Sequence, residues 1–595
     1  MPLHSVVTHQ AKKQQTRWWE ELFSTLSAYQ LDTTPHRQYH SLGAPGPFDN
    51  SNSPHVVWIS YRFLPVRPWM LSVYAMRTYR GGTVKQAAIR TFALFFVMNV
   101  LLMAAAAAQD VASFEKRTTV KTLPNGLTVI ILERPEAPVF SFFTHVDAGS
   151  VQDPMGKTGL AHMFEHMAFK GTDKIGTKDY AAEKVALEKV ETAYAAYIGE
   201  RDKAIDRDEN KIKNLEKAWK DAIADAQQYV IPNAFGEIVE REGGEGMNAN
   251  TSDDETNYFY SFPSNRLELW AYLESERFLH PVMREFYKER DVVIEERRMR
   301  TDSSPIGRLV EQFINTSFQA HPYHRPTVGW MSDLNSFSAT DAQKFFDQYY
   351  IPSNMVIAVV GDVKASETMP IIEKYFNRLP TKPTPDERTT TEPPQNSERR
   401  VILRQSAQPF YIEGYHRPDY RSPDNAVYVA ISDLMSNGRT SRLYRALVRD
   451  KKIAAFAAGF SGLPGSKYPH LFSFYAVPVP GHTAQELGDA IHAEIDRLKK
   501  EDITDDELKM IKTRAKADLI RGLDDNEGLA QQLAIYQARY GDWRELFKSV
   551  DRIDKVTKAD IRRVANQTFT ENNRTVGISE TVKSASAAAS QGGAQ

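Results

Sequence analysis

The sequence of 595 residues contains no cysteine. This absence excludes disulfide frameworks, thiolate zinc sites, iron–sulfur clusters and cysteine nucleophiles. Any transition metal must therefore be held by histidine and carboxylate side chains. Net charge is nearly absent as well, because 74 Lys and Arg residues against 76 Asp and Glu residues leave a formal charge of -2. No overall field attracts nucleic acid or an acidic membrane surface, and we expect no nucleic-acid partner.

Long apolar runs are scarce, and the pronounced one lies in residues 76–108. Four basic residues precede an apolar core from Thr91 to Met103, and an alanine run with Ala-x-Ala patterns follows. This order is typical of a secretory signal peptide. An uncleaved anchor is the alternative, since the stretch approaches the lower length limit for a membrane span. We expect cleavage near Gln109, no stable membrane span afterwards, and a periplasmic or secreted location.

Residues 1–75 precede that leader and show no sustained hydrophobic period. A signal peptide should begin a protein. We therefore interpret residues 1–75 as a non-native N-terminal extension and Met76 as the true start.

The length predicts several domains. Alternating strand and amphipathic-helix patterns fill residues 115–380, the predicted N-terminal catalytic domain, and resume over 399–580, the C-terminal domain. Between them, residues 381–398 (TKPTPDERTTTEPPQNSE) have the composition of a linker. Residues 581–595 are rich in small residues, and we expect a disordered tail.

The two halves repeat one another. Residues 338–363 and 555–582 each run through a helix cap, a helix, a short turn with Asn and a buried strand, and residues 137–167 match 407–437 in pattern. Within residues 338–363, Thr340 and Gln343 have the spacing of a capping box. The repeat predicts an α+β fold with two similar, duplicated α/β-sandwich domains.

One segment has no counterpart in the second half. Residues 180–230 are almost free of Gly and Pro, rich in Ala, Glu and Lys, and apolar at helical spacing. They predict a long helical insertion in the first domain, folded as a hairpin of two helices.

A possible metal site begins at AHMFEHMAFKGT, residues 161–172, which contains His-x-x-Glu-His. On a helix, His162 and His166 share a face and can present two nitrogens to one ion. Glu165 flanks that face without having to bind the metal, and is the natural general base for a water molecule. The residue order is the inverzincin signature. Surface histidines on an amphipathic helix are the alternative interpretation of the motif alone.

A catalytic zinc ion needs three protein ligands and an open position, and a carboxylate is the usual partner of two histidines. The candidate stretch is YKERDVVIEERRMR, residues 287–300, where Glu289 and Glu296 lie seven apart on one helix face. Glu295 is adjacent to Glu296, so spacing alone does not choose between them.

The chain resembles the pitrilysin and insulinase zinc peptidases, which include the mitochondrial processing peptidase. The resemblance rests on GLAHMFEHMAFKGT (159–172), MNANTSDDETNYFYSF (247–262), ERDVVIEERRMR (289–300) and HPYHRPTVGW (321–330). Together with the duplication, it covers essentially all of residues 115–580. It implies a clamshell arrangement of the two domains around a peptide substrate.

The resemblance also implies one zinc ion per chain, held by His162, His166 and Glu296. Glu289 then corresponds to the group that supports the ligands from behind. The spacing from His166 to Glu296 is 296 - 166 = 130 residues, longer than is usual for the family. The insertion at 180–230 accounts for the excess.

Residues Asn248, Ala249 and Thr251 match a strand that in relatives lies at a sheet edge. An extended peptide adds to that edge by backbone hydrogen bonds. We therefore predict these three residues as a substrate-binding strand.

Relatives often supply an Arg and a Tyr, seven apart, from the C-terminal domain to stabilise the oxyanion. Here Arg449 keeps the first position, but Phe456 stands at the second and cannot donate a hydrogen bond. Three explanations are open. Another hydroxyl, such as that of Tyr444, replaces the Tyr; the enzyme is weak; or a homologous subunit brings its own Arg and Tyr. We expect a homo- or heterodimer with such a subunit.

The sequence thus predicts a zinc metalloendopeptidase that hydrolyses extended or unfolded peptides, with Glu165 as the general base. The alternative is a non-catalytic or weakly active peptide-binding subunit of a heterodimeric complex, which Phe456 favours. We interpret His321 and His324 as parts of a structural loop.

Overall fold

The structure is a computed structural model that describes residues 111–386 and 389–582. The predicted extension, signal peptide and most of the predicted tail lie outside these residues. From Glu115 onward, the described chain belongs to one compact unit. None of its helices is long and apolar enough to cross a membrane.

The helices are α1 (Val111–Arg117), α2 (Leu160–Met167), α3 (Tyr180–Arg201), α4 (Glu209–Gln227), α5 (Ala234–Arg241), α6 (Leu267–Leu279), α7 (Phe286–Arg297), α8 (Pro305–Ser317), α9 (Met331–Leu334), α10 (Ala339–Tyr349), α11 (Ala365–Phe376), α12 (Asn425–Ser436), α13 (Ala484–Lys500), α14 (Asp505–Gly522), α15 (Asn526–Tyr540), α16 (Glu545–Asp554) and α17 (Lys558–Thr568). Two π-helical turns cover Arg298–Asp302 and Tyr444–Asp450.

The strands are β1 (Thr118–Thr122), β2 (Thr128–Glu133), β3 (Val139–Val146), β4 (Glu245–Thr251), β5 (Thr256–Pro263), β6 (Met355–Gly361), β7 (Arg399–Gln405), β8 (Phe410–Arg417), β9 (Ala454–Leu463), β10 (His470–Pro478) and β11 (Arg574–Thr581).

Each half of the chain forms one mixed sheet. The first has the order β1-β2-β6-β3-β5-β4 and the second β7-β11-β8-β10-β9. In both, one parallel pair, β2 with β6 or β7 with β11, continues into antiparallel strands. Apart from β1, the two sheets have the same topology, which confirms the predicted duplicated α+β fold.

The repeat extends to the way in which equivalent helices begin. Thr557 and Asp560 form a capping box at α17, and Ser338 and Asp341 form one at α10. The capping box predicted at Thr340 is therefore wrong. Thr340 lies within the first turn, where its backbone N–H and its hydroxyl both donate to the carboxylate of Glu191, a residue of α3.

Helices α3 and α4 pack against each other and form the predicted helical insertion. A buried ion pair fastens α3 to the domain: Arg284 donates two hydrogen bonds to the carboxylate of Glu183, at 2.9 and 3.0 Å. The same guanidinium also donates to the carbonyls of Lys170, Thr172 and Ile175. The insertion is thus tied to the segment that follows α2.

The insertion also packs on α7. The ring of Tyr287 lies 4.5 Å from that of Tyr194 on α3 and 5.0 Å from that of Trp219 on α4. Arg290 lies over the same rings and donates to the Tyr194 hydroxyl at 2.7 Å. The insertion therefore supports one side of α7.

The two halves exchange helices. Helix α8 of the first half packs on β7, β8 and β11 of the second sheet, and α15 of the second half packs on β3, β5 and β6 of the first. The described part of the predicted linker contains no helix or strand. It is anchored at Glu392, which accepts hydrogen bonds from the N–H groups of residues 319–321.

Replacing Glu183 by Ala tests the attachment of the insertion. The change leaves the buried Arg284 guanidinium without its carboxylate, and breaking a buried pair in this way costs about 3–5 kcal/mol. We expect a clearly lower midpoint of thermal unfolding. The exposed neighbour Lys184, replaced by Ala, is the matched control and should leave the midpoint nearly unchanged. Equal midpoints for the two variants would show that the ion pair does not hold the insertion.

Candidate metal centre

The His-x-x-Glu-His motif lies on α2, whose start is fixed by the chain before it. Asp153 accepts hydrogen bonds from the N–H groups of Gly159 and Ala161, at 2.7 and 2.9 Å. Gly159 has a φ of +95°, and a Cβ there would lie 2.8 Å from the carbonyl oxygen of Val328. A glycine is therefore required at this position, and it sets the direction in which α2 leaves the loop.

Two histidines and one glutamate converge beside α2. The Nε2 atoms of His162 and His166 each lie 3.6 Å from a carboxylate oxygen of Glu296 on α7. Among the described residues, these three form the one group of potential metal ligands whose ligand atoms all lie within 4.8 Å of one another. Glu295 instead is exposed and pairs with Arg298. The geometry thus brings Glu296, and not Glu295, to the histidines.

These side chains fit a zinc ion. Two ligands about 2.0–2.2 Å from a tetrahedral ion lie about 3.3–3.6 Å apart, which agrees with both separations from Glu296. Burial, then the charges of His166 and Arg300, hold the pKa of His162 well below its usual value, so this imidazole is neutral as a metal requires.

A second carboxylate fixes the other histidine. Glu289 lies two helical turns before Glu296, and its Oε1 is 3.1 Å from Nδ1 of His166. Lys170 approaches the other oxygen of Glu289 at 2.5 Å. Burial acts to raise the pKa of Glu289, but the hydrogen bonds from His166 and Lys170 outweigh it and lower the pKa to about 2. Glu289 is therefore ionised, and it orients His166 with Nε2 toward Glu296.

Glu165 is half-buried beside the cluster. Burial raises its pKa, while the charge of His166 and a hydrogen bond from Thr251 act in the opposite direction. A raised pKa brings a carboxylate closer to the range that suits a general base. The hydroxyl of Thr251 on β4 lies 3.2 Å from that of Thr256 on β5.

Strand β4 forms the free edge of the first sheet and packs beside α2. It carries Asn248, Ala249 and Thr251, so the structure places the predicted substrate strand next to the metal cluster. The side-chain oxygen of Asn248 accepts a hydrogen bond from the N–H of Ala249 at 2.9 Å. An arriving strand would compete with that side chain for the N–H group.

The predicted oxyanion donor of the second half lies elsewhere. Arg449 is 58% exposed, and its hydrogen bonds within the described chain go to Asp450. The structure therefore does not bring Arg449 to the metal cluster. Phe456 lies on β9, the edge strand equivalent to β4, and its ring stacks on Tyr475.

The two histidines of the predicted structural loop, His321 and His324, lie apart from the metal cluster. His321 is buried in a loop, where its Nδ1 accepts from the N–H of Tyr323, and His324 Nδ1 lies 2.8 Å from the His321 carbonyl oxygen. Neither histidine belongs to the metal cluster.

Sequence reasoning missed Arg300. Its guanidinium lies 2.8 Å from the same oxygen of Glu296 that faces His162. The i,i+4 spacing from Glu296 is the signal that predicts this contact.

Two family models match the chain. One, described as Insulinase (Peptidase family M16), matches residues 128–199, and the other, described as Peptidase M16 inactive domain, matches residues 336–515. The chain is also 30% identical over 494 residues to the zinc protease PqqE of Helicobacter pylori, covering 81% of this chain and 97% of that protein. The chain belongs to peptidase family M16.

Solved structures with a similar fold agree with the observed architecture. A protease from Helicobacter pylori superposes with a TM-score of 0.64 and 29% identity, over 78% of this chain and 99% of that one. The periplasmic protease PqqL from Escherichia coli has a TM-score of 0.59 and 18% identity, over 80% of this chain but only 48% of that one. These M16 neighbours confirm the two-domain clamshell fold.

The zinc content of two neighbouring variants tests the ligand set of this M16 protein. Replacing Glu296 by Ala removes the carboxylate that faces both histidines, and we expect one zinc ion per chain in the wild type to fall well below that in the variant. Replacing Glu295 by Ala removes only an exposed partner of Arg298 and should leave the zinc content at one. Elemental analysis after dialysis measures both. Equal zinc contents in the two variants would contradict the assignment.

Proposed function

We propose that this M16 protein is a zinc-dependent metalloendopeptidase that hydrolyses extended or unfolded peptides. The observation that carries the proposal is the convergence of His162, His166 and Glu296 beside the carboxylate of Glu165. A structural metal site has no need of such a carboxylate. The name of the relative PqqE, a zinc protease, supports zinc as the metal.

A zinc ion at this position supplies Lewis acidity toward a carbonyl oxygen and toward water. Glu165 takes a proton from the attacking water and passes it to the leaving amine. Glu289, held ionised by Lys170, keeps the His166 ring in place while this happens.

Peptide binding is assigned to the free edge of β4. Strand β4 is the last strand of the sheet order and pairs with β5 on one side. Backbone groups of an extended peptide can pair with its other side. Since β4 packs beside α2, a peptide bound there passes the metal cluster. Most backbone N–H and C=O groups of a folded protein are already paired, so unfolded or extended segments are the proposed substrates.

A periplasmic or secreted location is part of the proposal. It is supported by the signal-peptide pattern at residues 76–108 and by the structural neighbour PqqL, a periplasmic protease. A homologous partner subunit is proposed too, because this chain spans about half the length of PqqL. A second copy of this chain would also carry Phe456, so a Tyr donor could come only from a different subunit.

The second candidate is a non-catalytic peptide-binding subunit. Phe456 favours it, as does the description of the family model over residues 336–515 as an inactive domain. That model does not include α2 or Glu296, so the residues proposed for catalysis lie outside it.

Replacing Glu165 by Gln separates the two candidates. The amide keeps the size of the side chain but cannot accept the proton, so we expect turnover of a fluorogenic peptide to fall about 100- to 10,000-fold while zinc content stays at one per chain. The same substitution at the exposed Glu295 is the control and should leave turnover unchanged. A chelator should abolish wild-type turnover. No chelator-sensitive cleavage by the wild type, or unchanged turnover in the Glu165 variant, would exclude the proposed mechanism.

A further inference from the structure

The oxygen of the scissile carbonyl gains negative charge when water adds to the carbonyl carbon, and it needs hydrogen-bond donors at that moment. The positions that the family resemblance assigns to this task hold Arg449, which pairs with Asp450, and Phe456, which has no donor. Among the described residues of the first half, Arg300 contacts the proposed metal ligand Glu296 and takes no part in the steps assigned to Glu165 and Glu289.

Arg300 is presented to the cluster from a fixed stretch of backbone. It lies in the π-helical turn Arg298–Asp302 that ends α7, and such turns are frequent at functional sites. The first turn of α8 presses against it, because a Cβ on Gly307 would lie only 2.0 Å from the carbonyl oxygen of Arg300. Only a glycine permits this approach, so the backbone position of Arg300 is set by packing.

The guanidinium is near the reacting groups and still accessible. It is bonded to Glu296 at 2.8 Å, yet the Arg300 side chain is 45% exposed, against 14% for Glu296. The Glu296 oxygen that Arg300 contacts is the one that lies 3.6 Å from Nε2 of His162. Arg300 therefore lies on the solvent side of the cluster, next to an oxygen of the proposed metal ligand.

An arginine can serve Glu296 and a substrate at once. The guanidinium has five N–H donors in one plane, so one can remain on Glu296 while another points to a substrate oxygen. By contrast, the exposed Arg298, two residues earlier, pairs with Glu295 away from the cluster. The two arginines of one turn thus differ in whether they face the site.

We propose that Arg300 donates a hydrogen bond to the oxygen of the scissile carbonyl, in the place of the missing Tyr hydroxyl. This inference rests on the proposed peptidase function, and it places the donor in this chain, so that a Tyr from the proposed partner subunit is not required. The water oxygen bonds to the carbonyl carbon, the C=O π electrons move onto the oxygen that Arg300 binds, and the water proton passes to Glu165. When the electrons return, the C–N bond breaks and the proton goes from Glu165 to the amine nitrogen.

Three variants test this role: Arg300→Met, Arg300→Lys and the control Arg298→Met. Methionine keeps the length of the side chain without charge or donor. We expect it to lower kcat about 100- to 1000-fold, the effect of losing one oxyanion donor, with KM and zinc content little changed. Lysine should give an intermediate kcat, because a point charge replaces the planar donor group. Arg298→Met should match the wild type.

Zinc affinity and peptide binding distinguish this role from mere support of Glu296. Zinc affinity is measured by competition with a chromophoric chelator, and peptide affinity by fluorescence anisotropy in the Glu165→Gln background, where no cleavage interferes. We expect both to survive Arg300→Met. If that variant instead binds zinc weakly but turns over normally once saturated with zinc, Arg300 only supports Glu296 and the inference is overturned.

Comparing the activities of the Glu165 and Arg300 variants separates failure of this inference from failure of the proposed function. Lost activity in Glu165→Gln together with full activity in Arg300→Met would overturn this inference and leave the proposed function standing, whereas full activity in Glu165→Gln would overturn the proposed function itself. If Arg300→Met does not fold, as judged by thermal unfolding, Arg300→Lys carries the test. A lowered kcat at full zinc content supports the role of Arg300, and an unchanged kcat contradicts it.

Discussion

The packing of α7 against α2 is the contact on which the rest of the site depends. Helix α2 contributes two imidazoles and a carboxylate within one and a half turns, but no third ligand. Only the approach of α7 adds Glu296 in front of both histidines and Glu289 behind His166. The approach is fixed on both sides, by the left-handed Gly159 at the start of α2 and by the aromatic contacts of the insertion with Tyr287 on α7.

The insertion gains a structural meaning from this arrangement. Its 51 residues separate the two parts of the metal cluster along the chain. In the folded protein, however, α3 and α4 pack against α7. The buried pair of Glu183 and Arg284 ties α3 to the segment after α2, and the Tyr194, Trp219 and Arg290 group ties the insertion to α7. The same hairpin therefore supports α7 and the segment that follows α2.

What the sequence predicts well is local. His162 and His166 lie on one face of α2 because the period of 3.6 places them together regardless of the fold, and Glu165 flanks that face. The choice between Glu295 and Glu296 needs the direction in which α7 packs, which spacing does not contain. The error at Thr340 has a different origin: Ser338 and Asp341 form the capping box two residues earlier, so Thr340 lies inside the first turn and contacts Glu191 instead. Arg300 was missed because an arginine four residues after a glutamate resembles an ordinary surface ion pair.

The exchanged helices α8 and α15 have a consequence for the origin of the chain. Each sheet has the same topology, and each is covered by a helix from the other half. Two identical subunits that traded one helix each would build the same contacts around a two-fold axis, and a linker would then turn the pair into one chain. The fold is that of a helix-swapped dimer fused end to end. Once fused, one copy could lose its metal site and specialise, because covering the partner's sheet requires only its helix.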